Sequence, residues 1–307
     1  MLNRPDHHEA GRLMKLATYA STATALLLIA AKLVAWFWTD SVSIMATLID
    51  SCLDALASLV NLFAVRHALQ PADSKHRFGH GKAEPLAGLG QAAFIAGSAG
   101  FLILESVGRL LHPKPLHVIG VGVGVMLFSI AVTVALLIFQ RHVVRRTGST
   151  AIRADSLHYK TDLLVNAGVV LALALSSYGW AGFDAVIAIG IAGYIFYSAW
   201  DVAMEGIHHL MDHELPEEDR ERIRELVLSQ KHVRGMHDLR TRRSGTTPFI
   251  QLHLELDDNL TLYRAHAISD AVEARIIKAY PNAEVIIHED PASLMEEQPE
   301  FADEDEA

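Results

Sequence analysis

The chain has 307 residues, a length that one or two soluble domains would ordinarily fill. Hydrophobic residues make up 51% of it and charged residues 20%, and 36 acids against 26 bases give a formal net charge of −10. Seven of those acids lie in residues 291–307 without a base, so the remainder is nearly balanced and has no basic footprint for nucleic acid, while the single cysteine, Cys52, excludes a disulfide framework or a cysteine-based zinc finger.

Residues 1–12 read as a short cytoplasmic tail. Their acids and histidines precede the first apolar run, a pattern unlike a cleavable signal peptide. Six apolar stretches follow, each close to the ~20 residues that a helix needs to cross a bilayer core. They predict transmembrane helices over 13–38, 41–68, 83–111, 117–141, 149–178 and 180–212, within a membrane domain of 13–213. The clearest runs without charge are the 23 residues of 118–140, the 21 of 163–183 and the 20 of 85–104. Lys and Arg gather before the first span (Arg4, Arg12), in the second connection (Arg66, Lys75, Arg77, Lys82) and around the fourth (Arg141, Arg145, Arg146, Arg153, Lys160). The first and fifth connections have none, and the third has only Arg109 and Lys114. The positive-inside rule then puts both termini in the cytoplasm.

The second span carries Asp50 and Asp54, four residues apart and so on one helix face. The fifth carries His158 and Asp162 at the same spacing. An intramembrane carboxylate costs about 2.5–3.5 kcal/mol on insertion scales unless it is paired or hydrated. Lys32 is the one base in the middle of a span, and it cannot neutralise them all. Three carboxylates and an imidazole therefore suit a shared site for a divalent cation; tetrahedral N/O ligation points to Zn²⁺ or a relative. Cys52 sits on a different face and reads as packing. A sensor that carries no flux, a passive channel and a hydrolase are the rival readings. No nucleophile motif favours the last, and no continuous polar stripe outside the second and fifth spans favours a channel.

The connection 71–85 holds Asp73, His76 and His80, a small potential metal-binding loop. After the sixth span, residues 214–290 form a cytoplasmic α+β domain, with 291–307 as a disordered acidic tail. An acidic amphipathic helix over 217–230 is followed by a hairpin of 237–243 and 249–256 turned at Ser244-Gly245. Ile250, Leu252, Leu254 and Leu256 alternate with Gln251, His253 and Glu255, as in a half-buried strand. Thr261 is placed to cap a helix running to about Tyr280, and 284–288 is a last strand. His253 falls on a polar strand face, His237 opens another strand, His266 lies on the second helix, and His288 shares a face with Asp290.

The segments SVSIMATLIDSCLDALASLVNL, FGHGKAEPLAGLGQ, ADSLHYKTDLLVN, HDLRTRRSG and EVIIHEDP resemble the cation diffusion facilitator family, and the resemblance runs from about residue 12 to 292. It implies an α-helical membrane protein of six spans with an α-β-β-α-β, ferredoxin-like cytoplasmic domain, working as a homodimer in the bacterial inner membrane. The implied function is proton-coupled export of Zn²⁺, with Cd²⁺ and Fe²⁺ as further cargoes and no organic cofactor. The implied transport site is Asp50, Asp54, His158 and Asp162. A second site falls on Asp73, His76 and His80, and a regulatory two-zinc cluster on His237, His253, His266, His288 and Asp290. Lys82 and Asp212 occupy the positions of an interlock near the membrane face. Glu289 stands where the family carries glutamine, and His213 where it carries arginine.

Overall fold

The computed structural model describes residues 7–40, 42–111, 120–177 and 183–294. The first half of the N-terminal tail, the third and fifth connections and almost all of the acidic tail lie outside the described residues. The chain divides into two compact units, Met1–Leu210 and Met211–Ala307.

The first unit contains helices α1 (His7–Thr39), α2 (Val42–Ala68), α3 (Ala83–Leu111), α4 (Gly120–Thr147), α5 (Thr150–Ser177) and α6 (Phe183–Leu210). Among the described residues, five are long and apolar enough to cross a membrane; α5 is the sixth and more polar one. The first half of α5 carries Arg153, Asp155, His158, Lys160 and Asp162. The outward side chains are apolar, with Phe37 82%, Phe101 71%, Leu104 73% and Ile138 68% exposed, a surface that only lipid solvates without penalty. Small residues line the interior. Ala92 and Ala99 of α3, Ala154 of α5 and Ala199 of α6 pack with Ile95, Leu157, Ile195 and Val202. A Cβ on Gly88 would stand 3.1 Å from Thr150 Cγ2 and 3.3 Å from the Thr150 carbonyl oxygen, so glycine sets the approach of α3 to α5. Gly148, at φ 65°, ends α4 in the left-handed region, and its N–H donates to the Val144 carbonyl at 2.8 Å.

Two buried polar knots hold α5. In one, Asp155 accepts from Gln140 Nε2 of α4 at 2.7 Å and from Gln91 Nε2 of α3 at 3.4 Å. In the other, Tyr159 Oη donates to the Ser21 carbonyl of α1 at 3.1 Å and meets Ser58 Oγ of α2 at 2.9 Å. His158 lies between them in sequence, on a helix that these bonds tie to four neighbouring helices.

The second unit follows the expected order, with α7 (Glu217–Leu228), β1 (Gly235–Ser244), β2 (Thr247–Leu256), α8 (Leu262–Ala279) and β3 (Glu284–Pro291). The sheet order is β1-β2-β3; β1 and β2 are antiparallel, and β2 and β3 run parallel. Ile250, Leu252, Leu254 and Leu256 point into one core with Ile223 and Val227 of α7 and Val272 and Ile276 of α8. The opposite face of β2 carries Gln251, His253 and Glu255, as the alternation predicts. Gly245, at φ 58°, allows the two-residue hairpin turn between Ser244 and Thr247. Thr261 does occupy the N-cap position of α8, but its side chain makes no capping hydrogen bond.

Candidate metal centres

In the helical unit, Asp54 of α2 and His158 and Asp162 of α5 bring ligand atoms within 4.8 Å of one another. His158 Nε2 lies 3.0 Å from Asp54 Oδ1 and 3.9 Å from Asp162 Oδ2. His158 is buried, while both carboxylates stay partly accessible. Asp50 lies one turn before Asp54 on α2, is exposed, and does not join this group. On the neighbouring turn Lys32 Nζ of α1 donates to Ser51 Oγ at 2.7 Å and to the Thr47 carbonyl at 3.0 Å, so it is held against α2.

The loop between α2 and α3 forms a second group of Asp73, His76 and His80. Asp73 Oδ1 accepts from the backbone N–H of His76 at 2.7 Å and of Lys75 at 2.8 Å. These two donors hold its carboxyl below the usual carboxylate range. The same carboxylate faces both rings, 3.4 Å from His76 Nδ1 and 3.4 Å from His80 Nε2. Gly79, at φ 79°, makes the turn that returns His80 to the group.

The third group is built on the polar face of the sheet. His237, His253 and His288 stand in register across the three strands. Their rings follow at centroid separations of 4.9 Å and 4.7 Å. The buried Asp290 serves all three: Oδ2 lies 2.8 Å from His253 Nδ1 and 3.7 Å from His237 Nε2, and Oδ1 lies 3.3 Å from His288 Nε2. One oxygen turned to each end is the arrangement of a carboxylate able to bridge two cations. His266 is on α8, exposed and 3.7 Å from Asp270, outside this row. Glu289 alternates to the other face and accepts from Ser269 of α8 at 2.7 Å, so it adds no charge to the histidine row.

Sequence reasoning missed two carboxylates here. Glu255 Oε1 meets His237 Nδ1 at 3.0 Å, and Asp238 Oδ2 lies 3.8 Å from His253 Nε2. The strand alternation already placed Glu255 on the face of His253; Asp238 arrives there through a bulge between His237 and Arg240 that spacing does not announce. Of the expected interlock pair, Lys82 Nζ donates to the Leu210 carbonyl at 3.2 Å, and Asp212 lies 3.4 Å from Arg242.

Against known families, the Cation efflux transmembrane domain matches residues 18–211, and the Cation efflux protein, cytoplasmic domain, matches residues 215–292. Cation-efflux pump FieF of Klebsiella pneumoniae subsp. pneumoniae is 51% identical over 285 residues, 93% of this chain and 95% of that protein. Cation-efflux pump FieF of Salmonella arizonae is 50% identical over the same shares. Among solved structures, the metal-bound C-terminal domain of the CzcD transporter from Thermotoga maritima is 26% identical, covering 26% of this chain and 93% of that one with a TM-score of 0.25. The zinc form of CzrB is 31% identical, over 28% of this chain and 99% of that one, with a TM-score of 0.27.

Proposed function

This chain belongs to the cation diffusion facilitator, or cation efflux, family, and on that premise we propose that it exports Zn²⁺ from the cytoplasm in exchange for protons. It is a multi-pass membrane transporter for divalent metal efflux and not an enzyme. The finer reading rests above all on one observation: Asp54 of α2 and His158 and Asp162 of α5 converge inside the helical unit, where uncompensated charge is costly. Asp50, one turn away on the same helix, is the fourth ligand of the proposed transport site.

Loading requires deprotonated carboxylates and a neutral imidazole, so cation and protons compete for the same atoms. His158, a side-chain type with an unperturbed pKa of ~6.5, is the natural proton carrier at neutral pH. With the site open to the cytoplasm, Zn²⁺ binds and protons leave; with the bundle rocked outward, protons from outside displace the cation and return inward. Zn²⁺ fits a tetrahedral N/O set better than the harder Mn²⁺ or Mg²⁺; Cd²⁺ and Fe²⁺ are further cargoes.

In this reading both termini are cytoplasmic in a bacterial inner membrane, and the protein is a homodimer, the commonest closed symmetry. The Asp73–His76–His80 loop is a second zinc site, and Lys82 and Asp212 form the interlock near the membrane face. The row of His237, His253 and His288 with Asp290 is a regulatory cluster that biases the dimer toward transport; His266 belongs to it functionally although it stands apart within one chain.

The test is zinc flux in proteoliposomes under an imposed proton gradient. Asp54→Ala is expected to abolish flux while zinc binding by the second unit persists. Proton-coupled flux at the wild-type rate in that variant would place the transport site elsewhere.

A further inference from the structure

The last turn of α2 ends beside the loop centre. There the ring of His67 packs edge-on against that of His80, with centroids 4.6 Å apart and planes at 61°. His76 flanks the same ring at an equal 4.6 Å and 50°. His80 therefore has two imidazoles against it, of which only His76 belongs to the Asp73–His76–His80 group. The His80 side chain is 5% exposed, directs Nε2 toward Asp73 Oδ2 at 3.4 Å, and leaves Nδ1 buried without a hydrogen-bond partner. His67 is in the opposite situation. It is exposed and lines an open cavity with Lys15, Phe63, Arg66 and Gln70, so its ring has room to turn. The adjoining Arg66 is already committed, donating to Tyr19 Oη at 2.7 Å.

Three protein ligands leave a tetrahedral Zn²⁺ site open, whereas four close it and make it structural. We propose that His67 is the fourth ligand of the loop centre, closing it as a three-histidine, one-aspartate site for Zn²⁺. The inference rests on the reading of the loop as a metal site and goes beyond it. A rotation about the side-chain torsions of His67 is the movement it needs, since its ring already stands as near His80 as that of His76 does. The consequence is mechanical. His67 is on the helix that carries Asp50 and Asp54, so a cation held by His67 and by the loop pins the C-terminal end of α2 to the start of α3.

The test uses the full-length protein carrying Asp54→Ala, His253→Ala and Asp290→Ala, which silences the other two clusters. Co²⁺ titration with Zn²⁺ competition then reads the loop alone. His67→Ala in this background is expected to weaken zinc at least about tenfold, since loss of an outer partner alone can cost that much. His67→Cys is expected to keep tetrahedral Co²⁺ and to add a thiolate-to-metal charge-transfer band absent from the parent, in which Cys52 is unchanged. A merely structural role for His67 would not produce that band. Unchanged affinity in His67→Ala with no new band in His67→Cys, while His76→Ala still abolishes binding, overturns the proposal and leaves the loop centre standing. No metal bound by the parent overturns the loop reading and the proposal with it.

Discussion

Asp73 does two jobs in the loop between α2 and α3, and they can be separated. As a hydrogen-bond acceptor it fixes the turn through the N–H groups of His76 and Lys75; as an anion it faces His76 and His80. Its folded pKa is depressed, so the stability it lends is complete above the unfolded value of about 3.9 and disappears only as pH falls through the lower folded value. Between pH 7 and pH 5 Asp73 therefore stays a carboxylate. Asp73→Asn keeps the acceptor oxygen and loses the charge. It is expected to bind zinc weakly yet leave amide hydrogen exchange at Lys75 and His76 unchanged, whereas Asp73→Ala loses both binding and protection. Equal loss of protection in the two variants would contradict this division. These residues were legible in the sequence because Asp, His and His crowd a short connection. The approach of His67 was not, since it depends on where the end of a helix meets a loop in space.

Among the elements, α5 repays the closest attention. The apolar runs marked the spans well, and 149–178 was placed within one residue of the helix at both ends. What the pattern could not give was the partners of its polar residues. Asp155 is met by Gln91 and Gln140, and Tyr159 by Ser21 and Ser58, partners on four other helices that the sequence of α5 does not encode. The two knots differ in what their removal leaves behind. Tyr159→Phe leaves Ser21 and Ser58 still hydrogen-bonded to each other at 3.0 Å, so its cost is that of one net hydrogen bond, about 1 kcal/mol. Asp155→Ala strands the buried Gln140 amide and the half-buried Gln91 amide and is expected to cost about 1–3 kcal/mol. Thermal unfolding in detergent should rank Asp155→Ala below Tyr159→Phe, and equal midpoints for Asp155→Ala and wild type would show that this knot carries no stability. In the sheet, likewise, period-two alternation put His253 and Glu255 on one face, but the match of His237, His253 and His288 across three strands required a parallel pairing of β2 with β3 that no local spacing encodes.

At the scale of the molecule, the second unit closes its own hydrophobic core. Leu215, Ile223, Ile250, Leu252, Val272, Ile276 and Tyr280 all come from within it, and so do the histidine row and Asp290. Residues 214–292 expressed alone are thus expected to fold, to associate as a dimer and to bind Zn²⁺, and His253→Ala with Asp290→Ala to remove the binding. Calorimetry and sedimentation would decide; a folded fragment with no zinc heat would end the regulatory reading. The first unit has a different dependence, set by the polarity of α5. A segment whose first half holds Arg153, Asp155, Lys160 and Asp162 is a poor client for the translocon on its own, where each central charge costs about 2.5–3.5 kcal/mol. Its relief comes from the helix made next, since Arg153 pairs with both Asp201 and Glu205 of α6. During synthesis α5 should therefore wait for α6 and enter the bilayer with it as a hairpin. A nascent chain stopped at Ser177 is expected to leave α5 open to protease, and one extended through Leu210 to protect it, so the pairing of Arg153 with α6 also sets the order in which the ribosome's product can be threaded into the membrane.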